Sequence, residues 1–114
     1  MLSPGMTERI RYMRLVLFFD LPVGTPAQRK AYRQFVKYLT KAGYLRMQES
    51  VFSKLVINDR VALTSIKKLR ENKPPPGIVQ VLKVTEKEFA AMEFIVGEAR
   101  NTETITTTEE LLIL

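Results

Sequence analysis

The sequence predicts a single α+β domain with the element order β-α-β-β-α-β, and three observations carry that prediction. An apolar run ends abruptly at Pro22 and Gly24, a helix-capping signature follows at once, and the apolar period switches to two between Tyr44 and Ile57. The length of 114 residues suits one hydrophobic core. Leu15–Phe19 is five apolar residues rich in β-formers, which predicts a central strand buried on both faces. Thr25-Pro26-Ala27-Gln28 supplies a hydroxyl N-cap, a proline at the first helical position and a glutamine three residues after the cap. Gln28, Tyr32, Phe35, Val36, Leu39 and Ala42 then form one apolar stripe of a helix that stops at Gly43.

Beyond Tyr44, the residues Leu45, Met47, Val51, Leu55 and Ile57 share one parity and are the expected core side; Arg46, Gln48, Ser50 and Lys54 share the other. Phe52 falls on the polar parity. Fourteen residues are long for one strand, so a tight hairpin is expected near Glu49-Ser50. Asn58 caps a second helix that turns Ala62, Ile66 and Leu69 inward and ends before Pro74-Pro75-Pro76-Gly77. Ile78–Thr85 reads as a strand, and Thr85-Glu86-Lys87-Glu88 opens a short helix reaching about Met92. Glu93–Val96 and Leu111–Leu114 are candidate further strands. This order is the split βαβ arrangement of ferredoxin-like folds with extra C-terminal strands. The final apolar tetrad needs cover, which suggests strand pairing with a second protomer and hence a homodimer. Residues 1–12 are expected to be an N-terminal extension, with Met6 or Met13 as candidates for the natural start. Residues 13–97 form the domain and 98–114 a C-terminal loop and strand for dimer and partner contacts.

Composition narrows the chemistry. With no Cys and no His, disulfides, thiol nucleophiles, imidazole bases and ordinary zinc centres are excluded. Carboxylates, hydroxyls and a hard cation such as Mg²⁺ remain. No apolar run approaches the ~20 residues of a membrane span, and no signal-peptide pattern opens the chain, so a cytoplasmic protein without membrane contact is expected. Residues 1–73 carry 15 bases against 5 acids, whereas residues 74–114 carry 3 bases against 7 acids. Between Leu21 and Gln48 there is no acid at all. Such sign segregation attracts polyanions, of which nucleic acids are the commonest in cells. Lys30, Arg33, Lys37 and Lys41 line up along the polar side of the first helix. Lys30, Arg33 and Lys37, with Arg11 and Arg14 near the first strand, are the candidate phosphate contacts. Asp20 ends the central strand just before Leu21-Pro22, where a buried, unpaired carboxylate would cost several kcal/mol. It is either a local turn former or a functional group. One carboxylate is few for Mg²⁺, but a two-fold axis beside the strand end would supply a second.

Several blocks together resemble the CRISPR-associated protein 2 family. They are Arg14-Leu-Val-Leu-Phe-Phe-Asp20-Leu-Pro, Arg29–Phe35, Gly43-Tyr44 leading into Met47–Lys54, and Val84–Phe89, the last similar to the run found in type II systems. The resemblance runs from Arg11 to about Gly97. It implies ferredoxin-like homodimers that join the CRISPR-associated protein 1 integrase in spacer acquisition, as a basic platform for double-stranded prespacer DNA. It also implies, for some members, metal-dependent endonuclease activity on single-stranded RNA or double-stranded DNA, with Asp20 as the Mg²⁺ ligand and catalytic carboxylate shared across the dimer. Arg46 matches the family arginine of the second strand, which makes it a further candidate nucleic-acid contact. Phe19 stands where a tyrosine is common, and Phe52 matches the aromatic of the Ser-Val-Phe run, which makes both candidates for the substrate side.

The leading expectation is a non-catalytic adaptor for duplex DNA, with a Mg²⁺-dependent endonuclease as the alternative. A generic RNA-binding ferredoxin-like domain ranks last, because its aromatic strand signature is absent. The acidic stretch from Glu93 onward suits a protein surface better than a DNA surface.

Overall fold

The computed structural model describes residues 12–72 and 76–98. Its elements are β1 (Met13–Asp20), α1 (Pro26–Lys41), β2 (Leu45–Gln48), β3 (Val51–Val56), α2 (Asp59–Glu71), β4 (Ile78–Thr85) and α3 (Glu86–Ala90). The four strands form one antiparallel sheet in the order β2-β3-β1-β4. This is the ferredoxin-like arrangement, with β1 central.

The helix starts follow from local chemistry. Thr25 accepts from the Gln28 amide at 3.1 Å while the Gln28 side chain accepts from Thr25 and Gly24, closing the capping box. Asn58 caps α2 through the Val61 amide at 2.9 Å, and Thr85 and Glu88 make a second capping box at α3. The α3 helix stops at Ala90, short of Met92. The hairpin falls where expected, with Gln48 paired to Val51 across Glu49-Ser50.

Helices α1 and α2 cover one face of the sheet. Leu15, Leu17 and Phe19 of β1 meet Phe52 and Val56 of β3 there, under Phe35 and Leu39 of α1 and Ala62 and Leu69 of α2. Two expectations are corrected. The core parity of β3 is the one carrying Phe52 and Val56; Leu55, expected inside, is exposed. The strand β1 is not covered on both sides either: Phe18 is exposed on the face away from α1 and α2. Both errors have one cause. The second face of the sheet is itself apolar, carrying Phe18, Leu55, Ile78 and Leu82, so alternation of apolar and polar residues could not tell inside from outside.

Glu93–Val96 forms no strand ladder among the described residues; it leaves α3 as an open segment in which Ile95 and Val96 are 88% and 90% exposed. The expected strand at Leu111–Leu114 and the extension up to Arg11 lie outside the described residues. Among the described residues no helix is long and apolar enough to cross a membrane.

Candidate functional site

Asp20 is exposed at the end of β1, opposite Ile78 of β4. Side-chain alternation puts it on the same face as Arg14, Val16 and Phe18, at the rim of the open apolar face. Its main chain is fixed on both sides. The Phe19 amide donates to the Ser50 carbonyl at 3.1 Å, holding the β2–β3 turn against the strand end. Gly77, at φ 106°, lies so close on the other side that a Cβ there would stand 2.7 Å from the Asp20 carbonyl oxygen and 2.6 Å from the Leu21 side chain. Only glycine tolerates that approach. Asp20 thus sits at a rigid corner with a solvent-facing carboxylate.

The substrate-side expectation for Phe19 and Phe52 is corrected by their burial. Phe19 is 6% and Phe52 1% exposed, and they stack at 5.8 Å between ring centroids. Phe35 and Tyr32 meet the Phe19 ring edge-on at 5.4 and 5.7 Å. These rings form the floor beneath the Asp20 corner and leave no aromatic face for a ligand.

Arg46, expected at a phosphate, is engaged within the chain. Its guanidinium lies 5.1 Å from the Phe52 ring centroid, and Nη2 donates to the Glu49 carbonyl at 3.1 Å and to the Tyr32 hydroxyl at 3.4 Å. The Tyr32 hydroxyl donates to the same Glu49 carbonyl at 3.1 Å. Together they tie α1 to the β2–β3 turn, which is the turn that braces Phe19.

Arg14 is engaged too. Its Nε and Nη2 donate to the two carboxylate oxygens of Glu86 at 2.8 and 3.2 Å, and the guanidinium lies 4.4 Å from the Phe89 ring centroid. This latch holds α3 against the open side of the sheet. Sequence reasoning misses it, because nothing in the chain links two residues 72 positions apart.

Lys30, Arg33 and Lys37 are exposed on α1 and make no hydrogen bond or ion pair among the described residues, so they remain a ridge of available cations. The structure adds Arg60, Lys67 and Arg70, also exposed, along α2. The seven-residue spacing of Arg60 and Lys67 is a legible signal of a shared helix face, which a charge balance over whole segments passes over. Arg11 lies outside the described residues.

Comparison with known proteins decides the family. The chain matches the family described as CRISPR associated protein Cas2 over residues 13–92. It belongs to the Cas2 family. A relative from Treponema denticola, named CRISPR-associated endoribonuclease Cas2, is 50% identical over 102 residues, covering 90% of this chain and 100% of the relative. Cas2 relatives of the same name from Streptococcus mutans UA159 and Acidovorax ebreus are 45% and 42% identical over 86 and 85 residues. Each alignment covers 75% of this chain, and respectively 79% and 83% of those Cas2 proteins.

The donor set bears on Mg²⁺. No group of three or more acidic residues able to hold a metal exists among the described residues of this Cas2 chain. Asp20 therefore belongs to no such group within one copy. Mg²⁺ commonly keeps several waters and takes one or two carboxylates, so an Asp20 from each of two copies would suit the ion were their strand ends brought together.

Proposed function

We propose that this Cas2 chain acts as a homodimer that cleaves nucleic-acid phosphodiesters, with RNA as the first substrate to test and Asp20 from both copies as the acidic centre. The observation that carries the reading is the agreement between an exposed carboxylate on a rigid strand end and relatives, up to 50% identical, that are named endoribonucleases. The open apolar face supports the dimer. Ile78 and Leu82 are 58% and 53% exposed beside Phe18 and Leu55, and Asp20 lies at their rim. Two such faces meeting would remove apolar area from water, at about 25 cal/mol per Å², and would bring the two Asp20 corners to one interface.

Bound there, Mg²⁺ would supply Lewis-acid polarisation of a phosphate and a more acidic water. The chain's own contribution is to hold the carboxylate by the Ser50 and Gly77 contacts, and to bind the backbone through the α1 ridge. With no histidine anywhere in the chain, no imidazole base assists.

A second reading, the adaptor that carries double-stranded prespacer DNA between CRISPR-associated protein 1 integrase dimers, is favoured by one observation. The run from Leu21 to Gln48 places Arg29, Lys30, Arg33, Lys37 and Lys41 exposed on α1 and holds no acid.

The test compares wild type, Asp20→Asn and Asp20→Ala, purified identically, for RNA cleavage in Mg²⁺ and in chelator, and for spacer acquisition in cells. Cleavage should vanish in both variants and in chelator. Cleavage that survives Asp20→Ala refutes the nuclease reading, and acquisition that survives it while failing in a Lys30/Arg33/Lys37 triple variant favours the adaptor. Leu82→Glu should convert a dimeric solution mass to that of a single chain; an unchanged dimer would refute the assignment of the open face.

A further inference from the structure

Asp20 takes its placement from Phe19, and Phe19 is tethered to a turn that strand pairing alone holds weakly. The Phe19 amide donates to the Ser50 carbonyl at 3.1 Å, just beyond the last ladder pair of β1 and β3, Phe18 with Val51. Ser50 sits in the turn that joins β3 to β2, and β2 is only four residues long with a register shift between Arg46 and Gln48. It is also an edge strand, with β3 as its neighbour on one side. A short, bulged edge strand opens readily, so regular pairing gives this turn little support.

Side chains supply the support instead. The Glu49 carbonyl accepts from Arg46 Nη2 at 3.1 Å and from the Tyr32 hydroxyl at 3.1 Å, which occupies both lone pairs of that oxygen. Arg46 Nη2 also lies 3.4 Å from the hydroxyl itself. Both donors are fixed in their turn. The Arg46 guanidinium lies 5.1 Å from the Phe52 ring centroid, and the Tyr32 ring meets Phe19 edge-on at 5.7 Å. Tyr32 therefore holds Phe19 twice, by its ring and by the turn that its hydroxyl carries. Arg46 Nε is buried with no hydrogen-bond partner among the described residues, an orientation that serves the turn and leaves a donor of its own unsatisfied. Arg46 stands opposite Phe52, on the helix-covered face, whereas Asp20 belongs to the other face. The sheet thus separates the guanidinium from any group bound at Asp20.

We propose that Tyr32 and Arg46 are positioning residues. By clamping the Glu49 carbonyl they hold the β2–β3 turn, and through the Ser50–Phe19 bond they fix the direction of the Asp20 carboxylate. The proposal rests on the reading of Asp20 as the acidic centre, and it gives Arg46 a role other than contact with nucleic acid. Loosening the clamp misdirects the carboxylate and slows turnover, while substrate binding stays as it was.

Tyr32→Phe, Arg46→Met, their double variant and Asp20→Asn are compared with wild type in two measurements. The first resolves RNA cleavage in Mg²⁺ into kcat and KM. The kcat should fall about threefold in each clamp variant and about tenfold in the double, with KM kept within about twofold. A raised KM at unchanged kcat, or an RNA-binding salt slope flattened by about 0.7 log units in Arg46→Met, would make the arginine a phosphate contact and overturn the proposal. The second is amide hydrogen exchange followed by NMR without metal. Exchange at Phe19 should be about tenfold faster in the double variant, with no change at Leu17, which pairs with both β3 and β4 in the middle of β1. Equal acceleration at both amides, or none at Phe19, refutes the clamp. Exchange needs no cleavage, so it decides the proposal even where Asp20→Asn leaves cleavage intact and the nuclease reading falls. Should the double variant fail to fold, Tyr32→Phe keeps the ring against Phe19 and carries both comparisons at about threefold.

Discussion

The latch between Arg14 and Glu86 can be taken apart one half at a time. Arg14 is sheltered, with its side chain 15% exposed, while Glu86 is 40% exposed. Hydrogen bonds to charged groups contribute about 1.5–3 kcal/mol, and the exposure of Glu86 lets water compete, which places this pair near the lower end. The guanidinium over Phe89 adds about 0.5–1 kcal/mol. Arg14→Met retains the stem packing and should therefore cost about 2–2.5 kcal/mol, a fall in thermal midpoint of about 8–15 °C for a domain of this size. Glu86→Gln should cost at least as much, because it strands the more sheltered partner without its counter-charge. The assay is urea unfolding of both single variants and the double variant, at two protein concentrations so that association does not enter. The cycle should return a coupling of about 1 kcal/mol. A coupling below about 0.3 kcal/mol would refute the latch as a stabilising contact.

Neutralising Lys30, Arg33 and Lys37 to Gln should weaken duplex binding at low salt and flatten its salt dependence by about 0.9 log units for each phosphate no longer neutralised; an unchanged slope in filter binding would remove the α1 ridge from the interface. The Tyr44 phenol is pushed up to about 12 from its ordinary 10, by burial first and the neighbouring Tyr38 second. Its folded-state pKa is raised, so the neutral phenol favours the folded state. Stability is fully present below pH ~10, where the unfolded phenol is also neutral, and is lost as pH rises from there through about 12. Tyr44→Phe should remove this alkaline loss, and should not destabilise at neutral pH because the hydroxyl has no hydrogen-bond partner among the described residues. Denaturation midpoints followed by circular dichroism from pH 8 to 12 check both statements.

What can be read from the chain is what short-range chemistry dictates. Thr25, Asn58 and Thr85 announce helix starts because the capping bonds join residues three apart. Asp20 is legible as a strand-end carboxylate because its neighbours Leu21 and Pro22 stop the strand. The errors arise where distant segments meet. Phe52 is misplaced by its parity because both faces of β3 carry apolar groups, and only the packing of α1 and α2 selects one. Charge and position along the chain mark Arg14, and the family resemblance marks Arg46, as nucleic-acid contacts. Their partners, Glu86 and the Glu49 carbonyl with Tyr32, depend on which strands and helices come together. Lys54 shares a polar parity that proves to be the covered one.

The Gly77 approach to Asp20 has a bearing on how this corner can vary. The carboxylate's placement depends on a position 57 residues further along that contributes no functional group of its own. A methyl group there would have to push the Asp20 main chain or the Leu21 side chain aside, tilting the carboxylate without altering its charge. Descendants of this chain can thus retune or silence the corner through a residue that no inventory of acids and bases would single out.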